Sequence, residues 1–318
     1  MIHIGNAFIE GALQYPALVE ALRKAFRDNH ISCPPKSVHQ YQSDISTIDN
    51  TVLIMPAWDN HAYFGVKIIS ATPDNAGSST PYLNGRYLLF DARTGIPVAS
   101  LDAKLITHMR TAATSVLAAS CLAKKEASSV LIIGNGRIAP HYIRAYASQS
   151  NINQIYLWGR NHLKSLQVVE DLDEMEVSVE AVASFDSIIS RVDIISCITS
   201  ATFPIIQLSH VKKGQHLDLA GSFTTDMIEV ATDVVAACEV YVDNRDVTPH
   251  HAGEIVQAIK DGKLDLSNIK GTLHDICQTP VSNRFNHDII SLFKSTGMAI
   301  EDLVIAKLIF EKFKMSLA

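Results

Sequence analysis

Apolar residues recur at two different periods along this chain, and the change of period divides it. Between residues 15 and 28, Leu18, Leu22 and Phe26 repeat every four positions, which places them on one face of an amphipathic helix. Residues 51–70 (TVLIMPAWDNHAYFGVKIIS) predict two strands around a turn at Asp59-Asn60. Residues 86–91 and 96–100 predict a second hairpin, joined through Arg93-Thr94-Gly95. From Thr107 to Lys124 the chain turns alanine-rich and reads as a helix. Beyond it, short apolar runs predict strands at 130–133, 154–158, 177–182, 192–197, 216–220 and 239–242. Helical segments fall between them at 139–149, 162–171, 184–190 and 226–236. A further helix is expected at 253–263, and a long one closes the chain from Ile300 to Met315, with Leu303, Ala306, Leu308 and Ile309 on its apolar stripe. Strands alternating with helices in this way build a parallel sheet covered on both faces. The expected class is therefore α/β: a Rossmann-type doubly wound parallel sheet domain beside a strand-rich α+β domain.

The strand at 130–133 ends in Gly134-Asn135-Gly136-Arg137-Ile138-Ala139, a Gly-x-Gly-x-x-Ala turn leading into a helix. Such a turn lets the backbone approach a pyrophosphate, whose charge then rests on the free N–H groups at the helix start. The pattern points to a dinucleotide. The next strand ends Tyr156-Leu157-Trp158-Gly159-Arg160-Asn161, with no carboxylate for a ribose 2′-hydroxyl. Arg160 instead suits a 2′-phosphate, so NADPH is expected ahead of NADH. The expected cofactor-lining set is Gly134, Gly136, Arg137, Ile138, Ala139, Trp158, Arg160, Asn161 and Ser222.

Composition narrows the partners. A length of 318 residues suits about two domains. A net charge of -6 disfavours nucleic acid, which needs a basic face. The longest weakly polar run, Thr111 to Ala123, is too short to span a bilayer, and the first residues lack the basic and apolar regions of a signal peptide. Cys33, Cys121, Cys197, Cys238 and Cys277 are odd in number and widely spaced, with no metal-site pattern. A cytoplasmic location and a small-molecule substrate are expected, with no metal, membrane or nucleic-acid partner.

Two cations stand in unusual company. Lys67 lies in the apolar strand Phe64-Gly-Val-Lys-Ile-Ile69, where alternation puts it on the face opposite Val66 and Ile68. It reads either as an anion-binding group in a pocket or as a lysine emerging at an exposed edge. Arg110 opens the alanine-rich helix, where the dipole favours anions, so a carboxylate ligand is one reason for it to be there. His250-His251 and His274-Asp275 lack zinc-site spacing, and Asp59, Asp91 and Asp102 read as turn or cap residues.

Several segments together resemble the ornithine cyclodeaminase/mu-crystallin family: Met55-Pro56, GVKIISATPDN at 65–75, LFDARTGIPVASLDAKLITHMRTAAT at 89–114, GNGRIA at 134–139, LAGSFTTDMIEV at 219–230, GEIVQAIKDGKL at 253–264 and FKSTGMAIEDLVIAK at 293–307. The resemblance implies a substrate and homodimerisation domain from residues 1–112 with 294–318, and an NAD(P) domain over 113–293. It implies that Lys67 and Arg110 bind the carboxylate of an amino or imino acid, and that Lys36 replaces a third cation, an arginine in relatives. Cyclodeaminases carry an aspartate where this chain has Ser222, and an acid in the strand that here reads Val52-Leu53-Ile54. The serine form resembles the ketimine reductase and mu-crystallin branch. The resemblance thus points to NAD(P)H-dependent reduction of 1-pyrroline-2-carboxylate or 1-piperideine-2-carboxylate, with Lys67, Arg110 and Ser222 as catalytic residues and Ser222 or a water donating a hydrogen bond. Ornithine cyclodeamination, an alanine-dehydrogenase-like reaction and NADPH-dependent binding without catalysis are the other readings.

Overall fold

The computed structural model describes residues 1–42, 49–59, 62–75, 80–172, 175–279 and 288–317. Its contacts separate the chain into two compact units, Met1–Thr111 with Met298–Ala318, and Ala112–Gly297.

The first unit runs β1 (Ile2–His3), α1 (Asn6–Ala12), α2 (Tyr15–Asp28), β2 (Ile31–Ser32), β3 (Ser37–Tyr41), β4 (Asn50–Asp59), β5 (Tyr63–Ala71), β6 (Leu83–Asp91) and β7 (Pro97–Asp102), and enters α3 (Ala103–Leu122). Its sheet has the order β1-β7-β6-β5-β4-β2, with β3 also paired to β4. Among the described residues only the pairing of β1 with β7 is parallel. The two predicted hairpins are both present. Asn60 of the first turn lies outside the described residues, and Asp91 closes the second by accepting from the backbone N–H groups of Arg93 and Thr94. Helix α2 buries Leu18, Val19, Leu22 and Phe26, as its period requires.

Helix α3 begins four residues before the expected start. The Asp102 carboxylate accepts from the N–H groups of Lys104 and Leu105 at 2.9 Å each, and this cap fixes the helix start. Arg110 is thus well inside the helix rather than at its opening, and the helix dipole gives no account of it.

The second unit holds β8 (Ser129–Ile133), α4 (Ala139–Ala147), β9 (Gln154–Trp158), α5 (His162–Glu170), β10 (Ser178–Ala181), β11 (Ile194–Cys197), β12 (His216–Leu219), α6 (Thr232–Ala236), β13 (Glu239–Val242), α7 (Thr248–His251), α8 (Gly253–Lys260), β14 (Gly271–Thr272), α9 (Leu273–Gln278) and β15 (Ser291–Lys294). The strands form a parallel sheet of order β10-β9-β8-β11-β12-β15-β13-β14, a Rossmann-type arrangement whose strand order reverses at β8. Ile133, Ile195, Leu217, Leu219, Val240 and Leu292 line its core.

Two expected helices are largely absent here. Residues 184–190 form turns, in which the Phe185 carbonyl accepts from Ile188 and Ile189. Residues 226–231 are a turn and an irregular stretch, with Val230 bridged to Ile206, and only Thr232–Ala236 are helical. In both segments buried apolar residues recur at helical spacing, but the backbone is held by other partners.

The final helix, α10 (Ala299–Leu317), belongs to the first unit and packs on β4, β5, β6 and α2. Among the described residues no helix is long and apolar enough to cross a membrane.

Candidate functional site

Lys67 lies on the inner face of the first unit's sheet. Its register row runs Met55, Lys67, Tyr87, Leu101 across β4 to β7, and all four side chains are buried. Val66 and Ile68 take the opposite, more open face. At 1% exposure Lys67 is no edge lysine. Gly65, one step along the same face, makes room for Tyr87: a Cβ there would stand 2.2 Å from the tyrosine hydroxyl.

A buried lysine needs an anion, and α10 supplies it. The Lys67 ammonium lies 2.7 Å from an Asp302 carboxylate oxygen and donates to Thr107 Oγ1 at 3.3 Å. The Arg110 guanidinium donates from Nη1 to Glu301 Oε2 at 2.8 Å, and its Nε lies 3.5 Å from Asp302 Oδ1. Glu301 and Asp302 are both fully buried. The two cations, distant along the chain, therefore meet at Asp302. Burial pulls the Lys67 ammonium below its ordinary value while Asp302 opposes the shift. Burial, and then Asp302, pushes the Tyr87 phenol up. Lys36 is half-buried one residue before β3, whose Ser37 pairs with Ile54, next to Met55 in that row.

In the second unit, the expected cofactor residues gather at the carboxyl ends of β8 and β9. Gly134 has φ +125, a conformation open to glycine, and its N–H donates to the Trp158 carbonyl at 2.8 Å. Gly136 faces open space where a Cβ would stand, the cradle that a pyrophosphate needs. Ala139 is fully buried at the first turn of α4, and Ile138 is half-buried. Asn135 ties this turn to the next one, its Nδ2 donating to the Asn161 carbonyl (2.8 Å) and to Ser165 Oγ (2.9 Å). Gly159 permits this, since a Cβ there would lie 2.3 Å from the Asn135 side chain. Asn161 caps α5 by accepting from the Lys164 N–H. Trp158 is half-buried and donates from Nε1 to the Ala183 carbonyl. Arg137 and Arg160 are exposed at this edge. The turn fits a dinucleotide.

Ser222 follows β12 at the same edge of the sheet and is fully buried. Its hydroxyl donates to the Met227 carbonyl at 2.6 Å and accepts from the Gly253 N–H at 3.2 Å. The proton expected for the substrate is thus committed within the loop, and Ser222 joins β12 to the start of α8. Beside it is a second buried ionic cluster that the sequence reading did not single out. Glu229 accepts from the N–H groups of Thr199 (2.7 Å), Gly221 (2.9 Å) and Ser222 (3.2 Å). Lys294 lies 2.8 Å from Glu254 Oε1 and 3.8 Å from Glu229 Oε2. Burial pushes the Glu229 carboxyl up against the pull of Lys294. Gly221 and Gly253 allow the close approach: a Cβ would lie 2.1 Å from the Thr199 carbonyl oxygen in one case and 2.0 Å from that of Met227 in the other.

The expected motifs thus occur in two sets, a buried pair of cations and a glycine turn, each on its own unit. A family profile described as ornithine cyclodeaminase/mu-crystallin matches residues 6–316. The chain belongs to this family. Among its members, the Delta(1)-pyrroline-2-carboxylate reductase of Colwellia psychrerythraea is 32% identical over 303 residues, covering 94% of this chain and 95% of the relative. The reductase of the same name from Paracoccus denitrificans is 32% identical over 300 residues, covering 94% and 93%. The solved structure of the Thermococcus litoralis Delta(1)-pyrroline-2-carboxylate reductase, in complex with NADH and L-proline, superimposes with a TM-score of 0.89 at 26% identity, covering 100% of this chain and 99% of that one. The fold is that of the family throughout. Membership also places Glu229, Glu254, Lys294, Glu301 and Asp302 inside segments that carried the resemblance, although their pairing became visible only in three dimensions.

Proposed function

We propose that this protein reduces a cyclic ketimine acid, 1-pyrroline-2-carboxylate or 1-piperideine-2-carboxylate, to L-proline or L-pipecolate with a nicotinamide dinucleotide. The observation that carries this is the convergence of Lys67 and Arg110 on one buried carboxylate, Asp302. Cations already desolvated and held in place bind a substrate carboxylate with little further reorganisation. The pyrroline-carboxylate reductases among the relatives support a five-membered ring. When bound, the dinucleotide supplies the hydride. The chain's own work is to orient the C=N carbon through its carboxylate neighbour. A protonated imine needs no strong general acid, which agrees with a Ser222 hydroxyl held by Met227. Ring closure of ornithine with loss of ammonia needs carboxylates that here are Ser222 and the strand Val52-Leu53-Ile54.

We assign Gly134, Gly136, Arg137, Ile138, Ala139, Trp158, Arg160 and Asn161 to the dinucleotide, and Arg160 to the 2′-phosphate of NADPH. Lys36 is retained as a third substrate-side cation; as a lysine it forgoes bidentate geometry. The open face of the first sheet carries Ile54, Trp58, Phe64, Val66, Ile68 and Phe90, with the Phe64 and Phe90 rings stacked at 4.5 Å. We assign this face to a homodimer contact, which a single-chain mass in light scattering would exclude. A cytoplasmic site of action completes the reading.

The test is absorbance of NADPH or NADH with 1-pyrroline-2-carboxylate, with pyruvate plus ammonia, and, separately, release of ammonia from ornithine. Turnover is expected with the cyclic imine and preferentially with NADPH. Arg160→Ala should lower kcat/KM for NADPH by roughly tenfold to a hundredfold, the worth of one or two charge-assisted hydrogen bonds, and leave NADH unchanged. NADPH binding without turnover of any candidate would establish the binding-protein reading instead.

A further inference from the structure

In the second unit, β11 and β12 end side by side, and their ladder bonds stop at two turns. The last of those bonds run from the Ile198 N–H to the Ile133 carbonyl at 2.9 Å and from the Ala220 N–H to the Cys197 carbonyl at 3.0 Å. The donors that follow are taken by one side chain. Glu229 Oε1 accepts from the Thr199 N–H at 2.7 Å and from the Thr199 hydroxyl at 3.0 Å. Glu229 Oε2 accepts from the Gly221 N–H at 2.9 Å and from the Ser222 N–H at 3.2 Å. Each carboxylate oxygen thus serves one turn. Glu229 is fully buried and receives four donors, about the capacity of a carboxylate. The fit is close, since a Cβ on Gly221 would stand 2.4 Å from Glu229 Oε1.

With the pyrophosphate on the glycine turn after β8, β9 and its Arg160 and Asn161 lie to one side of it. β11 and β12 follow on the other side of the reversal in strand order, so the nicotinamide half extends over their ends. The turn after β11 abuts the glycine turn: a Cβ on Gly134 would stand 2.9 Å from the Ile198 carbonyl oxygen. We propose that Glu229 is a positioning residue for the nicotinamide half, its carboxylate tying the turn after β11 to the turn after β12 and presetting the floor on which the ring and its ribose rest. The inference rests on the dinucleotide assignment and goes beyond it, because Glu229 acts through Thr199, Gly221 and Ser222 and not by touching the cofactor. A floor ordered beforehand spares the ligand the cost of ordering it on binding.

Glu229→Gln keeps the size and reach of the side chain but leaves one acceptor oxygen for two turns, and its amide donors face the N–H groups of the other. Calorimetry compares NADPH with adenosine 2′,5′-bisphosphate, which carries the adenosine half alone, and NADH with ADP as a second matched pair. The variant is expected to bind the whole dinucleotide roughly tenfold less tightly and the adenosine half as the unmodified protein does. Glu229→Asp keeps the charge but is one methylene shorter and reaches only one turn, so it should act in the same direction, and either folded variant suffices. A general loosening of the fold would weaken whole and half alike. Equal weakening of both, or no change in either, therefore overturns the proposal and leaves the dinucleotide assignment standing. Amide exchange on the unmodified protein supplies a test without a variant. In the absence of dinucleotide, the N–H groups of Thr199, Gly221 and Ser222 are expected to exchange about a hundredfold or more slower than in an unfolded chain. Free exchange that slows only when NADPH binds would mean that the ligand orders the turns, and it too overturns the proposal. Binding of neither member of either pair by the unmodified protein removes the dinucleotide assignment and this inference with it.

Discussion

Replacing Arg110 with alanine is expected to lower kcat/KM for 1-pyrroline-2-carboxylate by roughly a hundredfold to a thousandfold, through KM more than through the dinucleotide. The glycine turn that we assign to the dinucleotide is built from other residues, so the dissociation constant of NADPH should not change. The same substitution should also destabilise the protein by about 3–5 kcal/mol, because it removes the cation that lies 2.8 Å from Glu301, a fully buried carboxylate. Stability and activity can be separated. Arg110→Met combined with Glu301→Gln removes both charges and should recover most of the lost stability while activity stays low. Urea unfolding and steady-state kinetics on the single and double variants complete the test. Normal turnover in the Arg110→Ala protein would remove Arg110 from the substrate site.

Why the cations were legible and their carboxylates were not follows from local chemistry. Lys67 stands out because it interrupts an apolar strand, where an ammonium is out of place unless it is paired or reaches an exposed edge, and its burial decides between the two. Glu301 and Asp302 occupy the first turn of α10, where acidic residues are favoured by the helix dipole and attract no notice. Arg110 and Glu301 are 191 positions apart, and no periodicity within a helix links them. The glycine turn was legible because its chemistry is local, a strand, a positive-φ glycine and a helix start. The segment 226–231 was misread for the opposite reason. Its spacing is helical, but the Ile228 N–H donates to the Ala201 carbonyl, the Glu229 carbonyl accepts from Ile205 and Ile206, and the Ala231 N–H donates to the Ile206 carbonyl, and those contacts override the local preference. Ser222 shows the limit of residue type as evidence: a serine at the right position is a donor only if its proton is not already given away.

Acidification should separate two neighbours on β12 that otherwise conceal each other. His216 and Asp218 are both fully buried in the second unit. The Ser291 hydroxyl donates to the Leu122 carbonyl, so it accepts from His216 Nδ1–H, and burial draws the imidazole down to about 3. Asp218 accepts from Ser196 Oγ at 2.6 Å, yet burial outweighs this and pushes its carboxyl up to about 6. For the histidine, the unfolded chain takes up its proton first as pH falls below about 6.5, so stability is lost from there toward pH 3. For the aspartate, the folded chain takes up its proton first below about pH 6, so stability is regained down to about pH 4. Each slope is about 1.4 kcal/mol per pH unit, and the two oppose each other across that window. Asp218→Asn should therefore lose stability on acidification between pH 6 and 4, by about 3 kcal/mol in all. His216→Gln should gain a similar amount over the same range. Urea midpoints at half-unit pH steps read both slopes directly, and a constant offset from either substitution does not affect them. Parallel curves for the variants and the unmodified protein would mean that neither group titrates on folding as its burial requires.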